Sequence, residues 1–295
     1  MVTLPVPRRR DLLVSGHVNV DRFLRVRQFP GPDRTVPVAA HRTALGGTAA
    51  TLARVAARYG VRTGLVARVS REFPAAFRAR LRAEGVDLRG LVTVASGATP
   101  TCYIVEDEDG GQRTLIDQGP MGDAARAPLP GAWLGQYAWL HVTTGDPAYQ
   151  LRLARAGRRV GLKVAADPAQ EIHYRWGRRD LAELFRLSEV FFGNRSEVAH
   201  ALELFRDRRP EALLARVPLV VRTEGPDGAT AFSRAGTVHV PGHRTRRVRS
   251  VVGAGDAFRG GFYAAWFVGE ALRDCLRAGT RAAAAWMERG APLEE

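Results

Sequence analysis

The chain has 295 residues, 45% of them hydrophobic and 25% charged, and a formal net charge of +14. That length holds one large α/β domain or two modest ones with a sizeable core, and no run of 18 apolar residues is present to cross a membrane. The charge excludes less than it suggests. Lys163 is the one lysine, and the arginines are spread along the whole chain rather than set in a stripe with aromatics, so no nucleic-acid surface is expected. Clusters such as Arg8–Arg10, Arg208–Arg209 and Arg244–Arg247 remain able to attract anionic substrates. Two cysteines, Cys102 and Cys275, are too few for a disulfide framework or a zinc site. With no signal peptide in the Met1–Arg10 segment, the expected compartment is the cytoplasm.

In chain order, Leu12–Ser15 is predicted as a strand. Phe23–Ala40 reads as short alternating strands. Gly47–Tyr59 has small or apolar residues at Ala49, Leu52, Ala53, Ala56 and Ala57 and ends at Gly60, the pattern of a helix. Thr63–Val69 is a predicted strand and Phe77–Glu84 a helix. Cys102–Val105 and Arg113–Ile116 flank Asp109-Gly110-Gly111 and form a predicted hairpin. Then come a strand at Trp139–Thr143, a helix at Ala148–Ala156, a strand at Leu162–Ala166, a helix at Arg179–Leu187 and a strand at Val190–Phe192. Glu197–Leu204 and Pro210–Ala215 are predicted helical, and Leu219–Thr223 a strand. This alternation implies a mainly parallel sheet covered on both faces by helices. The Phe23–Ala40 and Pro100–Ile116 strands stand outside it and are expected to pair into a small sheet over the main one. The tail Ala291–Glu295 is expected to fray.

The most informative motif lies near the C-terminus. Val251-Val252 is read as the end of an apolar strand, joined to a helix through Gly253-Ala254-Gly255-Asp256. Two glycines permit a tight turn, and a helix N-terminus aims backbone N–H groups and a positive dipole end at one point. An acid at the mouth of an anion pocket repels a bound phosphate. It makes sense as a base taking a proton from a hydroxyl that attacks that phosphate. The plain alternative is a glycine turn with Asp256 as a helix cap. A dinucleotide loop is disfavoured, because Phe258 stands where its third glycine belongs.

Other chemistry-bearing residues fall where ligands bind in parallel sheets, after the carboxyl ends of strands. They are Gly16-His17-Val18-Asn19-Val20-Asp21, Gly46-Gly47-Thr48, Asn194-Arg195-Ser196-Glu197 and Thr223-Glu224-Gly225-Pro226-Asp227-Gly228. Together with Gly253–Asp256, this ordered set resembles the ribokinase (PfkB) family of carbohydrate and nucleoside kinases, from about Asp11 to Gly290. Cys102–Ile116, Asp117-Gln118-Gly119-Pro120, His141–Pro147 and Tyr263, placed in the last helix, resemble the archaeal nucleoside-kinase branch.

The resemblance implies a three-layer ribokinase-like α/β fold over residues 1–295, with a mainly parallel central sheet. A small β-sheet lid is expected over about 22–42 and 98–118, closing over the acceptor to exclude water. It implies Asp256 as catalytic base, with the N–H groups of Gly253, Ala254 and Gly255 as the anion hole. Asp21, with Asn19 beside it, would grip sugar hydroxyls, and Gly46, Gly47, Thr51 and Gln118 would contact the acceptor. Thr223, Gly225 and Gly228 would form the nucleotide loop, with Asn194. Glu197, and Asn194 through water, would organise Mg2+, although a helix cap followed by an acid gives the same pattern. ATP is the implied phosphate donor. Two chains pairing lid to lid would make a homodimer.

Three departures from the family pattern stand out. Ser250-Val251-Val252 precedes the turn where a polar pair is usual, which puts a monovalent-cation site in doubt. Thr51 stands in place of an asparagine. Ala67-Arg68-Val69-Ser70 replaces a Gly-x-Asp, and Arg68 there would favour an anionic acceptor. The leading expectation is transfer of the γ-phosphoryl group of ATP to the primary 5′-hydroxyl of a nucleoside. The alternative is a sugar or sugar phosphate acceptor such as ribose 1-phosphate or fructose 6-phosphate. A non-catalytic sensor on the same fold would bind without turnover.

Overall fold

In the computed structural model, which describes residues 10–95, 97–289 and 293–294, β1 (Arg10–Ser15) is an interior strand of a nine-stranded sheet, third from one edge. Its Leu12, Leu13 and Val14 are fully buried. Leu12 and Val14 face one hydrophobic cluster and Leu13 the opposite one. Apolar side chains on both faces of one strand require a covering layer on each side. The chain then leaves the main sheet for β2 (Asn19–Val26) and β3 (Val38–Gly46), and returns through α1 (Thr48–Arg58), β4 (Thr63–Ser70), α2 (Ala75–Ala83) and β5 (Asp87–Val94). A second excursion gives β6 (Thr101–Glu106), β7 (Gln112–Asp117) and the short α3 (Gly119–Gly122).

From there the expected alternation holds. β8 (Tyr137–Val142), α4 (Pro147–Arg159), β9 (Lys163–Ala166), α5 (Arg178–Leu187), β10 (Val190–Asn194), α6 (Arg195–Phe205) and β11 (Leu219–Thr223) follow in turn. The chain closes with β12 (Ala229–Ser233), β13 (Gly236–Val240), α7 (Ala254–Phe267), α8 (Leu272–Arg289) and β14 (Leu293–Glu294). Helix α4 starts where Asp146 accepts hydrogen bonds from the N–H groups of Ala148 (2.9 Å) and Tyr149 (3.1 Å), with Pro147 in the first turn.

The main sheet has the order β13-β12-β11-β10-β9-β8-β1-β4-β5. It is parallel from β5 to β11, and β11, β12 and β13 pair antiparallel. The second sheet has the order β14-β3-β2-β6-β7, with β2 and β6 parallel and the other pairs antiparallel. The expected hairpin is present as β6 and β7, in register from Thr101–Asp117 to Glu106–Gln112. Strand β7 is an open edge with Leu115 and Ile116 exposed. No helix among the described residues is long and apolar enough to cross a membrane.

Several expectations need correction. Val251-Val252 is not the end of a strand: residues 241–253 carry no regular structure before α7. Tyr263 sits in the penultimate helix, because α8 follows. Pro210–Ala215 is a 3-10 helix. Leu293 and Glu294 do not fray but pair with Ala44 and Thr43 at the small-sheet edge; the rest of the tail, and Arg8 and Arg9, lie outside the described residues. The antiparallel β12 and β13, five residues each, were not among the predicted strands.

Candidate active site

A cleft of about 500 Å³ lies between the carboxyl ends of the parallel strands and the small sheet. At its base is the N-terminus of α7. Gly253 adopts φ +79, and its side-chain position is closed by Trp286 Nε1 at 3.1 Å and Thr51 Cγ2 at 3.2 Å, so only glycine fits this turn. Gly253, not Asp256, is the helix cap, and no side chain caps the helix. Asp256 is therefore left for another purpose, which removes the plain reading of this motif.

The N–H of Ala254 donates to the Val251 carbonyl (3.1 Å), and Ala254 does not line the cleft. The expected anion hole is thus revised. The N–H groups of Gly253, Gly255 and Asp256 donate to no backbone acceptor and belong to residues that border the cleft. Burial pushes the Asp256 carboxyl up to about 8, opposed by the Arg259 guanidinium and reinforced by the acids around it.

The opposite end of the cleft is built from β2, β3 and the loops above β8 and β9. Asn19 and Asp21 are buried on β2, and neither Oδ1 has a hydrogen-bond partner. Burial pushes Asp21 up to about 7, against the pull of Arg42. Gly46 pairs with Asn19 across β2 and β3 and lies diagonal to Asp21, and a methyl group there would collide with the Asp21 carboxylate. Gly46→Ala must therefore displace the carboxylate. Because a 1 Å misplacement of a binding group costs up to ~10²-fold, we expect at least a ~10-fold rise in acceptor KM with ATP KM unchanged, read by initial-rate kinetics.

Gly47, Thr48 and the buried Thr51 also border the cleft. The Gln118 carboxamide stands beside it: its Oε1 is buried without a partner and its Nε2 donates to Tyr174 Oη (3.2 Å). His17 is packed, held by Thr144 Oγ1 (2.8 Å) and the Gln118 carbonyl (3.2 Å), and burial pushes it down to about 4. Arg68 does not line the cleft; it acts on Tyr149 of α4, on the far side of the sheet.

On the nucleotide side, Asn194 and Glu197 form a reciprocal capping box. Asn194 Oδ1 accepts from the Glu197 N–H (2.9 Å), and Glu197 Oε2 accepts from the Asn194 N–H (2.7 Å). Both residues border the cleft, as do Thr223 and Gly225. Gly228 does not; it packs against the Val240 carbonyl instead. Among the described residues, no group of three or more His, Cys, Asp or Glu is placed to hold a metal. Glu197 Oε1, with Asn194 beside it, instead suits the outer shell of a magnesium ion that keeps its own waters.

Sequence reasoning missed a buried network behind this site. Arg259, one turn after Asp256, forks onto Asp167 through Nε (2.5 Å) and Nη2 (2.8 Å). His141 Nε2 lies 3.0 Å from Asp167 Oδ2, and its Nδ1 lies 2.8 Å from Tyr263 Oη. Burial alone would raise Asp167, but Arg259 and His141 hold it below the usual carboxylate range. The i, i+3 spacing of Asp256 and Arg259 and the placement of Asp167 just after β9 were the available signals. Glu171 and Tyr174, which also border the cleft, carried none.

A parallel sheet between helices, a small sheet over its carboxyl edge and a carboxylate beside an anion-binding helix terminus define a ribokinase-like phosphotransferase with an alcohol acceptor. A model of pfkB family carbohydrate kinases matches residues 9–292, and the chain belongs to that family. It is 29% identical over 276 residues to a nucleoside kinase of Methanothermobacter thermautotrophicus, covering 91% of this chain and 86% of that one. It is 30% identical over 256 residues to an ATP-dependent ribose-1-phosphate kinase of Halopiger xanaduensis, covering 86% and 84%. The crystal structure of Methanocaldococcus jannaschii nucleoside kinase, an archaeal member of the ribokinase family, matches with TM-score 0.87 at 24% identity over 95% of this chain and 92% of that one.

Proposed function

We propose that the protein transfers the γ-phosphoryl group of ATP to the primary 5′-hydroxyl of a nucleoside, with Mg2+. The observation that carries this reading is the polarity of the acceptor end. Asn19 Oδ1 and Asp21 Oδ1 are buried oxygens without a hydrogen-bond partner among the described residues. Such atoms cost stability until a ligand supplies donors, and a nucleoside supplies them from its ribose diol and its base. Among the described residues lining the cleft, Arg259 alone is cationic, and it lies at the phosphoryl end.

In this mechanism Asp21 and Asn19 hold the ribose hydroxyls and aim the 5′-oxygen along the line of transfer. Asp256 takes its proton. The N–H groups of Gly253, Gly255 and Asp256 neutralise the charge that builds on the transferred group. When bound, magnesium supplies charge neutralisation on the nucleotide phosphates, and Glu197 and Asn194 would hold its waters. The small sheet closes over the acceptor, and two copies would pair through the open β7 edge.

The relative named ribose-1-phosphate kinase supports the second reading, an anionic sugar acceptor. The described lining at the acceptor end, which holds no cation, opposes it; Arg42 and Arg175 act on it only from outside the lining. A coupled ADP-release assay with ATP and Mg2+ across nucleosides, D-ribose, ribose 1-phosphate and fructose 6-phosphate separates the two. We expect nucleosides to lead, with a KM that changes less than ~3-fold between low and physiological salt, because no charged acceptor is screened. Turnover confined to a sugar phosphate, with KM rising in salt, would overturn the nucleoside reading. A silent panel, repeated with ADP as donor, would point to a sensor.

A further inference from the structure

The backbone donors at the base of the cleft are not left to the turn alone. In a trans peptide the C=O and N–H of one plane point in opposite directions, so a donor that grips the carbonyl from behind fixes the direction of the N–H in front. Two side chains do this here. Arg259 Nη1 donates to the Gly255 carbonyl at 3.0 Å, and that peptide plane carries the N–H of Asp256. Trp286 Nε1 donates to the Val252 carbonyl at 2.8 Å, and that plane carries the N–H of Gly253. A hydrogen bond onto a carbonyl also polarises the N–H at the other end of the plane, which strengthens it as a donor.

Arg259 is itself immobilised. Its side chain is buried, and its fork takes both oxygens of Asp167. The chemistry of the partners assigns the rest of the chain. The Tyr263 O–H donates to His141 Nδ1, and His141, kept neutral by burial, donates from Nε2 to Asp167. Every polar group in the series has a partner, and the series ties α7 to β8 and β9 at the carboxyl edge of the sheet. Trp286, also buried, comes from α8 on the other side of the turn. Two of the three open N–H donors, those of Gly253 and Asp256, are therefore held through their carbonyls by two rigid elements.

We propose that Arg259 and Trp286 are positioning residues for phosphoryl transfer: through the Gly255 and Val252 carbonyls they clamp two of the three peptide planes whose N–H groups border the cleft. The proposal rests on the kinase family and not on which acceptor is used. A tie that merely joined helices would set stability and leave the ratio of transition-state to ground-state binding untouched.

The test separates these. Arg259→Met alone strands the Asp167 charge, so the paired change Arg259→Met with Asp167→Asn removes the ion pair as a unit. Trp286→Phe removes one N–H and keeps an aromatic ring. Each protein is assayed with ATP, Mg2+ and the acceptor panel, and titrated with ADP in the presence and absence of aluminium fluoride, a mimic of the phosphoryl group in flight. We expect the paired variant to lose ~10²-fold in kcat, the scale of one lost oxyanion donor, with KM values within ~3-fold. Trp286→Phe should lose ~10-fold. In both, the tightening of ADP by aluminium fluoride should shrink in proportion while ADP alone binds as before. A folded paired variant with kcat and fluoride-dependent tightening within ~3-fold of the wild type overturns the proposal. Should the paired variant fail to fold, unchanged values in Trp286→Phe overturn it alone.

Discussion

Asp256→Asn should bind ATP and acceptor as the parent does and lose at least ~10²-fold in kcat, the scale of a lost general base. Asparagine keeps the size of the side chain and its place on α7, but its amide cannot take the proton of the attacking hydroxyl. The structure strengthens this expectation, because Asp256 does not cap the helix and makes no cap hydrogen bond. Nothing structural is lost with its charge.

The same carboxyl sets a pH dependence of known sign. Its folded value is about 8 against an ordinary 3.8, raised by burial. Between those values the folded state binds more protons than the unfolded one, so its contribution to stability falls as pH rises. The amide of the variant, which does not ionise, carries no such penalty. Thermal melts of the apo proteins should show the variant above the wild type at pH 8–9, with the gap closing toward pH 4. Equal Tm values across that window would remove the raised carboxyl from the account, and retained turnover in the variant would remove the mechanism. Wild-type turnover should itself rise with pH until Asp256 is ionised.

The second large effect is expected at the far end of the cleft. Asp21→Ala should lower kcat/KM for a nucleoside by about 10²–10⁴-fold, because two hydrogen bonds from a diol to a charged group contribute ~1.5–3 kcal/mol each. The loss should be specific to hydroxyls. The wild type should reject 2′,3′-dideoxynucleosides by a similar factor, and the variant should lose that discrimination. Stability should not fall with activity. Asp21 Oδ1 has no partner, and burial holds the carboxyl near 7, so the ligand-free protein is relieved of a buried charge by the change. A Tm collapse in Asp21→Ala, or unchanged selectivity, would identify Asp21 as a structural residue.

Particular residues show which parts of this protein are legible in its sequence. The central strands are, because Leu12, Leu13 and Val14 in a row leave no polar face and demand helices on both sides. The β6–β7 hairpin is legible because Asp109-Gly110-Gly111 interrupts two alternating runs. The Gly253–Asp256 turn is legible as chemistry, since a carboxylate at an anion-binding helix terminus has few structural uses. The approach to that turn was misread. Val251-Val252 looks like a strand end, but with no neighbouring strand to pair with, two apolar residues do not make one.

The roles assigned within the turn also depended on contacts that no motif encodes. Sequence spacing treats Gly253, Ala254 and Gly255 alike, yet the Ala254 N–H is consumed by the Val251 carbonyl. Arg68 seemed poised for an anion because it stands where the family has a Gly-x-Asp, but the period-two alternation of β4 sends it to the face of α4 and away from the cleft.

By itself, then, the sequence determined the layered fold, the kinase family and the place of the Gly253–Asp256 turn, because each of these follows from local periodicity or from a short run of residues. Tertiary structure alone decided which peptide N–H groups remain open, that Arg259 and Trp286 grip the planes of two of them, and that the buried Asn19 and Asp21 oxygens at the far end of the cleft are left unpaired. Those features join residues as far apart as Asp167 and Arg259 or Val252 and Trp286, and long-range proximity is set by how helices and sheets pack, not by any pattern along the chain.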